Sequence, residues 1–404
     1  MKRVVYLIDQ PFDERNFQRF GIQVWIDRRW NVEVWDLTPW AHPHVWKNFA
    51  ERGHRVKMFP GYFPLKSQSD LMIRVRAAPA IQCFVDLAGD NFHSIRAKWA
   101  LRRAGAARVV CASGSIPLPD PDASRGMISK LGKLIAMGPR GAGRWLSNAF
   151  FAKVVAPLIP ADLAVISGTQ SLTLAHNSRG VIKAHNFDYD IYLELEKSEA
   201  DSSGRYAVFI DQDYCFHIEF VYQGIASVVS AERYFPAVCS GLEAISAALG
   251  LEVRIAAHPR ASYEQRGAER FFKTFRMERG RTAEMIRGCK AVICHDSTAI
   301  QYAVLFKKPI IFLTTNELSR AYEGASIEKV AEELGKKPIN LDRVDPGAVD
   351  WREELKIDFE RYAKYRSKYI KTEGSPDLPL WTIVIDYVDR TNDPVPLRPT
   401  GLAN

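Results

Sequence analysis

Six cysteines in 404 residues, at 83, 111, 215, 239, 289 and 294, form no CxxC pair. Thiols scattered through apolar runs fit a reduced, cytoplasmic protein and argue against a zinc site or a disulfide frame. No apolar run approaches the about 18 residues that a membrane-spanning helix needs. The opening, "MKRVVYLIDQPFDE", turns acidic after a few apolar residues, so nothing in it resembles a secretory signal. No GxGxxG follows Ile8, and neither GxxxxGK(S/T) nor GxSxG occurs, which removes the phosphate cradles of nicotinamide and P-loop enzymes and the nucleophile elbow of hydrolases. Internal repeats and low-complexity tracts are also missing. A net charge of +8 comes without any nucleic-acid-binding signature, so no nucleic-acid partner is expected.

What the chain does have is the composition of a soluble globular protein, 47% hydrophobic and 25% charged, long enough for two domains. Short apolar strands alternate with helical patterns throughout. Lys2–Ile8, Val32–Asp36, Gln82–Leu87, Arg108–Ala112, Asp162–Ser167 and Val181–Ala184 read as buried strands of one mostly parallel sheet. Tyr206–Ile210, Val253–Ala257, Ala291–Cys294 and "PIIFL" read as strands of a second. The polar "LEKSEADSSGR" separates the two sets, giving domains at 1–200 and 201–390, with the C-terminal helices free to cross back to the first, and a loose tail at 391–404. The expected fold is therefore α/β, with two Rossmann-like doubly wound domains facing a cleft. "REELKIDFERYAKYRSKYI" reads as one long charged helix and "PLWTIVIDYVDR" as a short apolar one. One stretch, 128–153, mixes Lys130, Lys133, Arg140, Arg144 and Lys153 with apolar residues and has no acid. It is read either as an interfacial element on an anionic membrane or as ordinary helices with basic outer faces.

Ligands of open α/β sheets bind outside the carboxyl ends of the strands, so residues there carry the chemistry. In "VRIAAHPR" Pro259 cannot donate to a ladder, so the strand stops at His258 and presents it beside Arg260. In "AVICHDSTAIQYAVLF" a strand runs through His295 into Ser297-Thr298, with Ser297 placed as the cap of the next helix. The first turn of a helix binds phosphate through its free N–H groups and its dipole. Together His258, Pro259, Arg260, His295, Ser297 and Thr298 outline a phosphate-sized pocket. A cap and a strand-ending turn with no ligand is the plain alternative for each half taken alone. "HPH" at 42–44 has no carboxylate at useful spacing and reads as a loop.

"RIAAHPR" followed by "CHDSTAIQYAVLFKKPIIFL" resembles bacterial glycosyltransferases of the GT-B fold, and among them the HP-motif group that uses CMP-activated acidic sugars: the sialyl-, polysialyl- and Kdo-transferases of surface polysaccharides. "YAVFIDQDYCFH" at 206–217 also resembles surface-carbohydrate biosynthesis proteins. The likeness covers roughly 205–315; the first domain matches in architecture alone. It implies that His258 and Ser297-Thr298 hold the nucleotide phosphate, that a nucleotide-sugar donor is substrate with no further cofactor or metal, and that a glycan or lipid-linked glycan accepts the sugar. It places the protein in the cytoplasm, with the inner membrane face as the surface that 128–153 would meet. The group's acidic base motif, two acids followed by glycine, is not present as such.

Sugar transfer needs a base for the acceptor hydroxyl and a partner for the leaving phosphate. Asp13, in the long loop after the first strand, is the favoured base, with Asp9 and Asp211 behind it and Asp188 as a further candidate. The acids of "DYD" (188–190) and "DQD" (211–213) read as cleft-lining loop residues. Two other functions share this architecture: a sugar epimerase of the UDP-N-acetylglucosamine 2-epimerase type, and a non-catalytic protein closing on an anionic ligand.

Overall fold

The computed structural model describes every residue except 1, 52–53, 78, 113–115, 118–142, 144–146, 148, 174, 199–203, 218–219, 221–225, 262, 268 and 391–404. Most of 128–153, and the tail at 391–404, thus lie outside the described residues.

The first sheet contains β1 (Arg3–Ile8), β2 (Asn31–Asp36), β3 (Tyr62–Pro64), β4 (Cys83–Asp86), β5 (Ala107–Ala112), β6 (Ala161–Ile166) and β7 (Ser178–Lys183). Their order is β3-β2-β1-β4-β5-β6-β7, and every pairing among them is parallel. The second contains β8 (Tyr206–Ile210), β9 (Glu252–Ala257), β10 (Arg276–Arg279), β11 (Ala291–Cys294), β12 (Ile310–Thr314) and β13 (Ile339–Asn340). It is parallel too, in the order β10-β9-β8-β11-β12-β13. In each sheet the first strand of the set is central and the order reverses beside it, between β1 and β4 and between β8 and β11. Loops diverge at such points, which leaves a crevice for a ligand.

Both faces of each sheet are covered, and the central strands show it by alternation. Val4, Tyr6 and Ile8 belong to one apolar cluster and Val5 and Leu7 to another. Val208 and Ile210 likewise face one cluster and Ala207 and Phe209 another. A strand buried on both sides has no polar face to display, so it reads as a continuous apolar run.

Of the described residues, those within 1–113, 125–187 and 372–404 form one compact unit, and those within 114–124 and 188–371 form the other. The sequence reading put the boundary at 200 and assigned 201–390 to the second domain, leaving a return of the C-terminal helices to the first as an option. Packing explains the difference. Helix Leu380–Arg390 lays Trp381 edge-on against Tyr6, with ring centres 5.3 Å apart, and Trp381 Nε1 donates to Arg19 O at 2.9 Å. Gly21 sits beneath that indole at φ +57°, where a Cβ would collide with the ring. Thr372 N–H donates to Ala184 O at 2.9 Å, and Thr372 Oγ1 accepts from Gly168 N–H at 2.8 Å. The charged stretch before it is not one helix. A 3-10 turn at Glu353–Leu355 ends, and helix Phe359–Tyr365 starts anew where Asp358 accepts from Arg361 N–H at 3.0 Å. No helix among the described residues is long and apolar enough to cross a membrane.

Candidate functional site

At the end of β9 the chain turns as Pro259 requires. His258 N–H leaves the ladder and donates to Asp211 Oδ2 at 3.1 Å, and Ala261 N–H closes a turn on His258 O at 3.0 Å. Arg260 N–H donates to His258 Nδ1 at 3.3 Å. An imidazole that accepts at Nδ1 carries its proton on Nε2 when neutral. His258 and Arg260 are both half-buried. A residue the sequence reading passed over joins them: the ring of His217 lies 4.8 Å from that of His258. Its signal was present, since "DQDYCFH" follows β8, the strand beside β9.

Asp211 stands at the end of β8 and holds this turn from beneath. It is 2% exposed; Oδ1 accepts from Asp213 N–H at 3.0 Å and from Tyr263 O–H at 3.1 Å, while Oδ2 receives the His258 amide. Burial pushes its carboxyl above the ordinary range, and the hydrogen bonds only partly offset that. A carboxylate so enclosed works as a bracket for the loop. Asp213, two residues on, adopts φ +53°, a left-handed conformation that costs a non-glycine residue and is held by the surrounding packing.

His295 lies elsewhere than the sequence reading put it. It is fully buried, Nδ1 donates to Leu313 O at 2.6 Å, and Nε2 accepts from Tyr234 O–H at 2.9 Å. Phe209, Tyr214 and Tyr234 surround the ring, and burial lowers its pKa. Both nitrogens are spent in the core of the second unit. The next residue, Asp296, is also buried and ties two loops together. Its Oδ1 accepts from Gln212 Nε2 at 2.6 Å and from Tyr214 O–H, and its N–H donates to Gln212 Oε1 at 3.1 Å. The loops after β8 and β11 are thereby clamped together across the point where the strand order reverses.

Ser297 does not cap the following helix directly. Ala299 is the N-cap of Ile300–Leu305, and Ser297 Oγ accepts from the Ala299 N–H at 3.2 Å, one turn earlier. Thr298 is exposed. His258-Pro259-Arg260, Asp211 and Ser297-Thr298 therefore mark the carboxyl ends of three adjacent strands, β9, β8 and β11.

The acids proposed as bases fall in different settings. Asp13 is the N-cap of helix Glu14–Arg19 and accepts from Asn16 N–H at 2.8 Å. Asp188 and Asp190 lie in the first turn of helix Phe187–Glu196. Asp9 directly follows β1, and its Oδ2 accepts from Gly89 N–H at 3.1 Å and Asn91 Nδ2 at 3.0 Å. The "HPH" stretch is no plain loop. It joins helices Thr38–Ala41 and Pro43–Glu51, and His42 Nε2 comes within 3.5 Å of Asp9 Oδ2. The carboxylate that spacing could not supply comes from another strand. Among the described residues, no group of three or more His, Cys, Asp or Glu side chains is placed to hold a metal ion.

No protein-family model matches the chain, and no curated protein matches it in sequence. Solved structures do match in shape. The UDP co-structure of S. aureus MnaA superposes with a TM-score of 0.51 at 14% identity, covering 96% of this chain and 97% of that one. A putative UDP-N-acetylglucosamine 2-epimerase from Listeria monocytogenes gives 0.50 at 11% identity, over 98% of both chains. Spinosyn forosaminyltransferase SpnP gives 0.48 at 14% identity, over 96% of this chain and 99% of that one. With its two parallel-sheet α/β units, of seven and six strands, the chain has the GT-B type of fold.

Proposed function

We propose that the protein is a nucleotide-sugar-dependent enzyme, and that it transfers the sugar to a hydroxyl of a surface glycan. The observation that carries this reading is the His258 turn. A buried carboxylate, Asp211, fixes the backbone of His258, and the Arg260 amide fixes its tautomer, so that an N–H is held at the end of a strand beside the reversal point. Preorganised donors of this kind stabilise charge growing on a leaving phosphate without reorganising in the reaction. His217, Arg260 and the Ser297-Thr298 hydroxyls complete the phosphate site. The donor we propose is a CMP-activated acidic sugar, on the likeness of "RIAAHPR" and "CHDSTAIQ" to the HP-motif group. Metal-free, inverting transfer goes with that donor, since a monophosphate leaving group can be met by these residues.

A second reading, epimerisation of a UDP-sugar, draws on the similarity in fold to the two proteins named above with UDP or a UDP-sugar. Epimerisation needs acids and bases at the sugar carbon. Asp211, the carboxylate bonded to the His258 amide, is enclosed by its own hydrogen bonds. Transfer therefore stands ahead.

A thermal-shift screen with CMP, CDP, UMP, UDP and GDP tests the proposal. A ligand that binds the native state raises its melting temperature by mass action. CMP should give the largest shift; a larger shift with UDP would move the donor to the UDP-sugars, and no shift with any nucleotide would defeat the proposal.

A further inference from the structure

The first unit presents a face that the sugar-transfer reading does not use. Helix Phe92–Arg103 packs one side inward. Ala97 and Leu101 join the cluster of Val5, Leu7 and Phe84, and Lys98 turns to Asp86 at 3.1 Å and Asp90 at 2.8 Å. The other side shows Phe92, Arg96, Trp99 and Arg103, all exposed. Their spacing of i, i+4, i+7 and i+11 puts them in one stripe. Beside it runs a helical stretch through Phe151–Val155 and Ala156–Leu158, which exposes Phe150, Val154 and Leu158 at intervals of four, with Lys153 among them. The two segments meet through aromatic rings. Phe92 lies 5.8 Å from Phe151, and Phe151 lies 5.6 Å from Phe150.

Two properties set this face apart from an ordinary solvated surface. Its large apolar side chains are 42% to 68% exposed and gathered together, whereas soluble proteins scatter such residues singly. Its charge is of one sign, since neither 91–112 nor 143–161 contains an acidic residue. Arg102, at the border, is taken by Asp162, while Arg96 and Arg103 extend over the Phe92 and Trp99 rings at 4.9 and 5.5 Å. An occupant has to accept aromatic and aliphatic side chains and carry negative charge. A second copy of the same face does not, because its arginines would meet those of the first. The headgroup layer of an anionic bilayer does both: aromatic rings settle at that depth, and basic side chains among them reach lipid phosphates.

We propose that this face docks the first unit on a membrane surface containing anionic phospholipid. The sequence reading offered 128–153 for such a contact. The face drawn here shares only 150–153 with that stretch and adds helix Phe92–Arg103, for which no such expectation was formed. The inference does not depend on which sugar is transferred, or on whether one is.

Co-sedimentation of the full chain with phosphatidylcholine vesicles, and with vesicles that also contain phosphatidylglycerol, tests the proposal. Wild type should pellet with the second kind and stay in solution with the first. Each basic residue at an anionic surface adds about fivefold to partitioning, so Arg96→Glu/Arg103→Glu should weaken binding about 25-fold or more. Arg96→Gln/Arg103→Gln serves if the charge reversal fails to fold. Phe150→Ser/Leu158→Ser, which removes apolar area, should weaken binding about tenfold. Salt should release the wild type, because the Debye length falls from about 10 Å at 0.1 M to about 3 Å at 1 M. The control Lys356→Glu/Lys364→Glu makes the same change in net charge at exposed positions of the second unit, and should stay within about twofold of wild type. Equal binding to both kinds of vesicle, or to neither, overturns the proposal. A loss in the control as large as in Arg96→Glu/Arg103→Glu overturns it too, since net charge alone would then explain the attraction. Undiminished binding by the face variants moves the contact elsewhere and overturns it as well. Sedimentation velocity without vesicles tests the remaining occupant: a dimer that Trp99→Ser dissolves would give the face to a second copy of the chain and defeat the membrane reading.

Discussion

Asp9 and Asp211 occupy the same place in two sheets. Each is the first residue after the central strand, at the point where the strand order reverses, and each is an acid after an apolar run. Their surroundings differ. Asp211 is closed in by two amides and a tyrosine hydroxyl and holds the His258 turn in position. Asp9 has one oxygen on Gly89 and Asn91 and the same oxygen facing a histidine, with its side chain still in partial contact with solvent. One carboxylate shapes a loop; the other is poised toward a titratable partner. An acid after a central strand thus says where a site is, and only its partners say what it does there.

The largest expected effect breaks this pair on stability. Asp211→Ala would leave the Asp213 and His258 amides and the Tyr263 hydroxyl buried without acceptors. Each such group costs about 1–3 kcal/mol, so a loss of about 3–5 kcal/mol is expected. Asp9→Ala exposes its donors to water and should cost about 1 kcal/mol or less. Urea denaturation of both variants makes the comparison, and equal losses would erase the distinction drawn between them.

Much of this architecture could be read from sequence because double-sided burial leaves a local trace. The apolar runs at β1, β8, β9, β11 and β12 are continuous, and proline or polar residues end them. The edge strands β3, β10 and β13 were not legible; with three, four and two residues they are too short to show a period. The helix at Leu380–Arg390 was legible as a helix, and its return to the first unit only as an option, because its partners, Tyr6 and Arg19, are far away in sequence. In the candidate site, His258 could be found because Pro259 acts locally. His295 could not be placed, since what claims it is Leu313 O from the next strand and Tyr234 from helix Ala231–Leu249. His42 was set aside for want of a carboxylate at short spacing, and the carboxylate comes from β1.

Two buried groups, one in each unit, should answer pH in opposite senses. Burial raises the Asp36 carboxyl, at the end of β2, from 3.8 to about 6, although Thr38 and Tyr62 donate to it. Between those values the native state holds a proton that the unfolded state has lost, so this group's contribution falls as pH rises from about 4 to about 6. The shift corresponds to about 3 kcal/mol at most. His295 is the reverse case. Its pKa is lowered from 6.5, so below that pH the unfolded chain takes up a proton that the native core refuses, and stability falls on acidification. The difference in unfolding free energy between wild type and Asp36→Asn should therefore shift in favour of the variant as pH rises from 4 to 6. That between wild type and His295→Gln should shift in favour of wild type as pH rises toward 6.5. Asp211, also raised, adds to the Asp36 trend in the wild type, but it cancels in each difference. Matching slopes in the two variants would contradict the burial assigned to these groups.

The smallest effect in energy is the one most specific to function, and it sets two histidines of the second unit against each other. His258 stands half-buried at the end of β9, its Nδ1 accepting from Arg260 N–H, whereas His295 spends both nitrogens in the core. Removing a charge-assisted contact to phosphate costs about 1–3 kcal/mol, or about 5- to 150-fold in Kd. His258→Ala should weaken nucleotide binding by that much while shifting the melting temperature of the free protein little, because its backbone bond to Asp211 survives. His295→Phe keeps a ring among Phe209, Tyr214 and Tyr234 but strands the Tyr234 hydroxyl and Leu313 O, so it should lower stability with less than about a twofold change in Kd for the molecules that remain folded. Donation from His258 strengthens as charge grows on the leaving phosphate, so its loss should lower kcat together with donor affinity. Calorimetric titration with the nucleotide found in the screen, paired with melting curves, separates the two. If His295→Phe loses affinity as His258→Ala does, the phosphate site includes the histidine placed here in the core, and the division of labour between them fails.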